Sequence, residues 1–299
     1  MTEIVALKRR STETLGHIRG IVVRQGAGWK QTPPRHPAKL DDLSSPYVLD
    51  LMPQTGLGIM ETYRGCPFTC SFCEWGVMDA PKNVRSVASI SEEFGAIAEN
   101  GRNTLLLVDA GLNLNKSAFV NLSAAAEQTG FLKDRNLICE VYPAKVRDEH
   151  LRFLEGVGNP HIGVGLQSFD SDVLGEVERR YDEARFNNIL TDLRSVASLA
   201  IEIILGLPGD SPEKFKLNFE RSRSLPYALR VYHCLVLPSA LMKRSPKEHM
   251  LDYDPVTLKM RSCMGWTREG LADAVDFVNQ HATLERGAKG EFFWVFPRR

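Results

Sequence analysis

The stretch that decides the fold runs from residue 61 to residue 74 and reads ETYRGCPFTCSFCE. It contains three cysteines, Cys66, Cys70 and Cys73, at the spacing C-x3-C-x2-C, and the aromatic Phe72 directly precedes the third. A short segment that reads as a strand, residues 58–62, leads into the stretch. Three thiols on one loop after a strand are typical of a metal-binding site.

From about residue 57 onward, segments typical of strands alternate with segments of helical periodicity. Six strands are predicted at residues 58–62, 104–108, 137–141, 161–166, 201–205 and 231–236. Predicted helices cover residues 91–100, 116–129, 148–154, 184–198, 211–224 and 267–285. Such alternation predicts a parallel sheet of right-handed βαβ units, with ligands at the carboxyl ends of the strands.

Local signals place several helix ends. Ser89 and Glu92 read as a capping box for the first helix, and Gly130 as the end of the second. Ser211 followed by Pro212 is typical of an N-cap and first helical position. These signals support the helical segments independently of their periodicity.

The two ends of the chain lack this alternation. Residues 1–50 are interrupted by prolines and contain one predicted hairpin, residues 20–32, and we expect an arm or linker there. Residues 246–299 are expected to form a C-terminal helical extension whose aromatic end, residues 292–296, serves packing. Residues 51–245 are therefore predicted to hold the α/β domain.

Composition narrows the class of protein. The 299 residues include 37 Lys and Arg against 37 Asp and Glu, so no overall charge favours nucleic acid or an anionic membrane as partner. The N-terminus is not typical of a signal peptide, and no apolar run approaches a membrane span. We expect a cytoplasmic protein whose six cysteines serve metal or redox chemistry rather than disulfides.

The cysteine spacing helps to decide between two kinds of metal site, a structural zinc site and an iron–sulfur cluster. A structural zinc site needs four ligands, usually two separated pairs, and no second such pair follows in the sequence. A [4Fe–4S] cluster normally takes four thiolates, so three cysteines leave one iron open for a small chelating ligand. The cluster is the favoured interpretation, and a zinc-stabilised, non-catalytic module is the alternative.

Residues 61–73 resemble the signature of the radical S-adenosylmethionine (SAM) superfamily, in which an aromatic residue precedes the third cysteine. The resemblance implies that Cys66, Cys70 and Cys73 hold a [4Fe–4S] cluster whose open iron binds the amino and carboxylate groups of SAM. It also implies that Phe72 lies near the adenine. The expected fold is α/β: a partial, six-stranded (β/α)6 barrel resembling a TIM barrel, with an N-terminal arm and a C-terminal helical tail.

The turns after later strands resemble the family's other contacts to SAM. The resemblance implies that Asp109, Ala110 and Gly111, after the second strand, contact the amino group of SAM, and that Glu140, on the third strand, contacts its ribose. It also implies polar contacts from Gln167 and Ser168 on the fourth strand and an adenine contact from Leu207 after the fifth. Two alternatives stay open: an ordinary turn at Asp109, and for Glu140 an ion pair with Lys145 or Arg147.

Three further residues are candidates for chemistry. Cys263, in a loop after the sixth strand, is a candidate hydrogen-atom donor or nucleophile, with a small core residue as the favoured alternative. Glu202 and His233 are candidates for a substrate pocket if they face the barrel interior, and an outward-facing or core position is the alternative for both.

The flanks of the signature, including Glu74, Trp75 and Gly76, resemble the cobalamin-associated branch of the superfamily. We expect its cobalamin-binding domain to be missing, since only about 16 residues precede the arm. The implied function is radical activation of a C–H bond in a small molecule, such as a natural-product intermediate, without methyl transfer. A flavodoxin or ferredoxin would supply electrons. A methyltransferase that receives cobalamin from a partner is the alternative.

Overall fold

A computed structural model describes residues 2–8, 10–36, 38–77 and 83–299. The chain divides into two compact units, Met1–Leu43 and Ser44–Arg299. The first contains helices α1 (Thr2–Ala6) and α2 (Thr12–Leu15) and strands β1 (Val22–Gln25) and β2 (Gly28–Gln31). β1 and β2 form an antiparallel hairpin that turns at Gly26, where φ is +61°. The structure thus contains the hairpin that the sequence predicted.

The second unit is built on a sheet whose strands alternate with helices. Its first part comprises β3 (Gly58–Met60), α3 (Val87–Glu99), β4 (Thr104–Leu107), α4 (Lys116–Thr129), β5 (Asn136–Val141), α5 (Asp148–Glu155), β6 (Asn159–Gln167), α6 (Ser171–Glu176), α7 (Glu183–Val196), β7 (Ser198–Leu205), α8 (Pro212–Ser224) and β8 (Ala228–His233). All six predicted strands are present. The short helix α6 was not predicted.

The parallel strands lie in the sheet in the same order as in the sequence, β3 to β8. Right-handed crossovers between successive neighbours place the intervening helices on one face of the sheet. β3 is an edge strand, so the sheet is open, and no closed barrel is formed by the described strands. The expected α/β fold of a partial barrel is confirmed.

The C-terminal tail contributes strands as well as helices, which corrects the expectation of a purely helical tail. After α9 (Leu241–Arg244), it contains β9 (Asp252–Tyr253), β10 (Met260–Ser262), α10 (Arg268–Leu284), β11 (Ala288–Lys289) and β12 (Phe293–Phe296). β12 pairs antiparallel with β8 and extends the sheet. β12 covers the edge of β8 that the parallel strands leave free. Trp294 and Phe296 are buried, so the aromatic end packs into the core as expected.

Side-chain caps explain where most helices begin and end. Asn115 accepts the backbone N–H of Ala118 at the start of α4, and Gly130 ends the helix at a φ of +65°. Ser211 caps α8 as predicted. α3, however, begins at Val87 rather than residue 91, because Ser86 supplies the cap by accepting the N–H of Ser89. The predicted capping box lies inside the helix.

Successive side chains of a strand point to opposite faces of the sheet, and here apolar side chains lie on one face and polar ones on the other. On β5, Leu137, Cys139 and Val141 are buried in the core shared with the helices, whereas Glu140 points to the other face. The register pairs Glu140 with Gly163, Gly165 with Glu202, and Glu202 with Arg230. Polar side chains thus gather on the face of the sheet away from the helices. None of the described helices could cross a membrane.

Candidate functional site

The cysteine loop, defined here as residues 61–77, follows the carboxyl end of β3. It turns at Gly65, whose φ of +94° is a conformation that favours glycine, and it ends in a 3-10 turn, Trp75–Val77. The backbone N–H of Cys73 donates to the carbonyl of Cys70 at 3.1 Å. Cys70 is buried, whereas Cys66 and Cys73 are half-buried.

The three cysteines line one cavity at the carboxyl ends of the parallel strands. Its empty space is about 750 Å³, its open mouth included. Five of the residues predicted to contact SAM line the same cavity: Phe72, Asp109, Ala110, Glu140 and Gln167. The structure therefore brings together residues that lie far apart in the sequence.

Burial affects the acidity of two of the cysteine thiols. Burial raises the pKa of Cys66 and of Cys73, and binding of a positively charged metal centre would displace the thiol protons. Among the described residues, no three His, Cys, Asp or Glu side chains converge on a single ion. A [4Fe–4S] cluster takes each thiolate on a different iron, so thiols that share a cavity without converging on one point fit a cluster.

Asp109 joins β4 to the cysteine loop. Its Oδ1 accepts the backbone N–H groups of Thr62, at 2.7 Å, and Tyr63, at 3.3 Å, and its Oδ2 accepts the Thr62 hydroxyl. Burial raises the pKa of Asp109 to about 6, although these hydrogen bonds oppose the shift. The adjacent Gly111 does not line the cavity; its carbonyl accepts the Tyr63 hydroxyl at 2.7 Å.

A charged network lies on the polar face of the sheet. Arg230 Nη1 donates to Glu140 Oε1 at 3.2 Å and to Glu202 Oε1 at 3.0 Å, and the Tyr232 hydroxyl donates to Glu202 at 3.2 Å. Burial and the Glu202 carboxylate raise the pKa of Glu140 well above its ordinary value, against the attraction of Arg230. Glu140 is thus paired with Arg230, and not with the sequence neighbours Lys145 or Arg147.

Gly163 makes room for this network. A Cβ at Gly163 would lie 2.1 Å from Glu140 Oε2, so any side chain there would displace the carboxylate. The glycine at this position therefore leaves the space that the side chain of Glu140 occupies.

Gln167 supplies an unused polar group to the cavity. Its Oε1 is buried and has no hydrogen-bond partner among the described residues. Its φ is +73°, a conformation uncommon outside glycine and typical of ligand sites. An unpaired acceptor at this position fits a bound molecule that carries hydroxyl or amine donors.

Several predicted residues lie outside the cavity wall. Leu207 is fully buried, with its carbonyl accepting the indole N–H of Trp266 at 3.0 Å, and Ser168 is buried with its hydroxyl accepting the N–H of Asp170. Cys263 is also buried away from the cavity, and burial raises the pKa of its thiol to about 12, which disfavours a thiolate nucleophile. For Gly111, Ser168, Leu207 and Cys263, the predicted roles gain no support from this placement.

Only one of the two residues predicted for a substrate pocket lines the cavity. Glu202 lines the cavity, whereas His233 is not among the lining residues and lies with its Nδ1 3.1 Å from the Cys234 carbonyl.

Several residues that complete the site carry no recognisable sequence signal. These residues are Phe68, Leu114, Val141, Tyr142 and Arg179, and the cavity wall also includes Gly165 and Trp75 of the signature's flank. Phe68 stacks on Tyr142 with ring centroids 4.2 Å apart, and the Arg179 guanidinium lies 5.0 Å from the Tyr142 ring. Aromatic and arginine side chains are too common to be recognised without the fold that brings them together.

Residues 60–220 match the family model described as the Radical SAM superfamily. Because this match covers more than half of the chain, the protein belongs to the radical SAM superfamily, and it is an enzyme. Membership implies a [4Fe–4S] cluster and SAM as cofactors.

Similar proteins differ in the reaction their names describe. The cobalamin-dependent radical SAM methyltransferase TokK of Streptomyces tokunonensis is 24% identical over 319 residues, covering 97% of this chain and 46% of TokK. The tRNA-2-methylthio-N(6)-dimethylallyladenosine synthase of Endomicrobium trichonymphae is 23% identical over 171 residues, covering 55% of this chain and 41% of that protein. The chain spans about a third to a half of the length of the curated relatives it matches.

Solved structures show the same fold at low identity. The methyltransferase TsrM of Kitasatospora setae, solved with tryptophan substrate and a SAM analogue, has a TM-score of 0.63 at 17% identity, covering 89% of this chain and 63% of TsrM. Coproporphyrinogen III oxidase (HemN) of Escherichia coli has a TM-score of 0.60 at 20% identity, covering 86% of this chain and 60% of HemN. These likenesses concern the fold and leave the reaction open.

Proposed function

We propose that this enzyme holds a [4Fe–4S] cluster on Cys66, Cys70 and Cys73 and activates a C–H bond of a small molecule. One observation carries the proposal: the three cysteines of the superfamily signature line a single cavity together with Asp109 and Glu140. A cavity at the carboxyl ends of parallel strands is where this architecture places its ligands.

The cluster and SAM together would supply a 5′-deoxyadenosyl radical that removes a hydrogen atom from the substrate. The protein's contribution is to bind, orient and exclude water. Cys66, Cys70 and Cys73 would hold the cluster, and Gln167 offers an acceptor to SAM. The aromatic side chains in the cavity wall would shield the reacting carbon from water.

A direct test measures what the purified, anaerobically reconstituted protein binds. We expect iron and sulfide in equal amounts, a brown chromophore, and SAM binding that depends on all three cysteines. Cys70→Ala should lose the chromophore, and Cys139→Ala, which removes a buried cysteine of the core, should retain it. Zinc without sulfide would contradict the proposal and favour the non-catalytic alternative.

Radical methylation is a second candidate reaction. The match to TokK over 97% of this chain favours it, because that relative is a cobalamin-dependent methyltransferase by name. Cobalamin would then come from another part of the protein or from a partner. Formation of S-adenosylhomocysteine on addition of cobalamin would identify this reaction, whereas its absence would favour the predicted reaction without methyl transfer.

Two partner predictions remain to be tested. A flavodoxin or ferredoxin is expected to deliver the electron that the cluster requires. A small molecule remains the favoured substrate class because positive and negative charges balance over the sequence. Binding of tRNA by the purified protein would contradict the prediction that nucleic acid is not a partner.

A further inference from the structure

Two arginines from distant parts of the sequence contact the cysteine loop. Arg244 ends α9, after the last parallel strand, and Arg179 follows α6. Within the described part of the chain, neither forms a salt bridge, so neither positive charge is neutralised by a carboxylate in contact. The two arginines touch different atoms of the loop, which suggests different effects on it.

Arg244 donates its hydrogen bonds to the backbone of the loop. Its Nη1 donates to the carbonyl of Thr69 at 2.9 Å, and its Nη2 donates to the carbonyls of Cys70, at 2.8 Å, and Cys73. One planar guanidinium therefore fixes the carbonyls of two cysteines relative to each other. A lysine ammonium lacks the planar fork from which the two terminal nitrogens of Arg244 reach the three carbonyls together.

The segment that carries Arg244 is itself anchored at both ends. The backbone N–H of Ser239 donates to Glu74 Oε1 at 2.8 Å, which ties the segment a second time to the cysteine loop. Ser245 Oγ lies 2.8 Å from His249 Nδ1, and His249 Nε2 lies 3.1 Å from Glu176 Oε2 on α6. Arg244 is therefore held in place without help from a cluster.

Arg179 approaches a cysteine sulfur instead. Its Nη1 lies 3.9 Å from Cys70 Sγ, while its Nη2 donates to the carbonyl of Gly165 and its guanidinium lies on the Tyr142 ring. The N–H of Ser71 donates to the carbonyl of Val177 at 3.0 Å, which fixes the two segments side by side. A positive charge is thereby fixed next to one of the predicted cluster ligands.

We propose that these two positioning residues divide the control of the cluster: Arg244 determines how firmly it is retained, and Arg179 how readily it is reduced. The proposal rests on the cluster proposed above. Reduction adds one electron, supplied by the reductant, and hence one negative charge beside Arg179. A nearby cation and an N–H donated to a ligand sulfur both favour the reduced form.

The test compares two variants by two measurements on reconstituted protein. Arg244→Ala should lose iron to a chelator roughly tenfold faster than the unchanged protein, with a change in the reduced fraction smaller than that of Arg179→Gln. Arg179→Gln should lower the ratio of reduced to oxidised cluster about tenfold at a fixed solution potential, as measured by electron paramagnetic resonance. Its rate of iron loss to the chelator should stay within about threefold of that of the unchanged protein.

Matched controls lie next to each arginine. Lys243→Gln and Arg180→Gln remove exposed positive charges one residue away and should change neither measurement. Added guanidinium should slow the loss of iron from Arg244→Ala, whereas Arg244→Lys should not restore retention. Circular dichroism of each variant separates these effects from failure to fold, and Arg244→Lys provides a second, less disruptive variant.

The outcomes separate the two proposals. If the unchanged protein holds no cluster, the proposed function fails and this inference fails with it. If that protein holds a cluster but Arg179→Gln and Arg244→Ala behave like their controls, this inference alone is overturned. It is likewise overturned if both variants alter both properties equally, because the arginines would then act only on general stability.

Discussion

At the scale of single residues, Asp109 shows how the structure changes the meaning of a predicted contact. The resemblance implies that its turn contacts the amino group of SAM, yet both carboxylate oxygens of Asp109 accept hydrogen bonds from Thr62 and Tyr63 at the start of the cysteine loop. Each such bond within the protein contributes on the order of 1 kcal/mol. We infer that Asp109 holds the loop in position, while its contact with the cofactor remains a prediction.

Substitution of Asp109 separates these two roles. Asp109→Asn keeps an acceptor for the Thr62 N–H, and the hydroxyl of Thr62 can reverse to accept from the amide, so we expect a loss below about 1 kcal/mol. Asp109→Ala leaves buried donors unpaired and should cost about 3 kcal/mol. Urea unfolding measures both. A large loss of SAM affinity in Asp109→Asn, with stability retained, would instead support a direct contact.

Gly163 offers a second prediction at this scale. Gly163→Ala should displace the Glu140 carboxylate from Arg230 and lower the free energy of unfolding by about 1 to 3 kcal/mol. The double variant with Glu140→Ala should recover part of that loss, because the clashing carboxylate is gone. Gly175→Ala is the control, since a Cβ there meets no atom within 4 Å. Equal effects of the two glycine variants would contradict this explanation.

At the scale of elements, one ionic cluster fastens the C-terminal tail. Arg223 of α8 is 1% exposed and pairs with Glu285 at the end of α10, while its Nη1 donates to the carbonyl of Pro297 beyond β12 at 3.0 Å. Burial alone would raise the pKa of Glu285, but hydrogen bonds from Arg299, Arg223 and His281 outweigh it and lower the pKa to about 2. The tail is therefore held by charge as well as by apolar packing.

This cluster predicts a loss of stability in acid. A carboxylate whose pKa is lowered by folding contributes its full stabilisation above the pKa of the unfolded chain, about 4.3, and loses it as the pH falls towards about 2. Glu285→Gln should remove about 1 to 2 kcal/mol near neutral pH and flatten the acid dependence. Urea titrations at several pH values measure both. An unchanged acid dependence in Glu285→Gln would contradict the assignment.

Most elements could be predicted from the sequence because their signals are local. Ser211 before Pro212 and Gly130 after α4 mark helix ends through caps that involve only a few neighbouring residues. β12 could not be predicted as part of the sheet, since its pairing depends on the free edge of β8, which lies far earlier in the sequence. The start of α3 was misplaced because two serines compete as caps and only the structure shows which one binds.

The same distinction holds for the site. Cys66, Cys70 and Cys73 could be recognised because one loop carries all three and their spacing is specific. Arg179, Arg230 and Arg244 could not, since each reaches its partners through the fold and an isolated arginine has no motif. Glu140 was located correctly on its strand, but its actual partner, Arg230, comes from a strand 90 residues later.

At the scale of the whole molecule, the order of the strands accounts for the position of the site. Six parallel strands that follow one another in sequence place the helices on one face and the carboxyl ends of the strands at one edge. The cysteine loop, Asp109, Glu140 and Gln167 each come from a different strand end, and all line one cavity. The fold thus assembles the candidate cofactor site from side chains that lie far apart in the sequence.

The most direct test of radical SAM chemistry in this protein is the fate of SAM on the anaerobically reconstituted enzyme. With dithionite as reductant, we predict formation of 5′-deoxyadenosine, detected by chromatography and mass spectrometry, and none in Cys66→Ala, Cys70→Ala or Cys73→Ala. Cys139→Ala should retain the activity. Intact SAM after incubation with an enzyme shown to contain the reduced cluster would contradict the assignment of this chemistry.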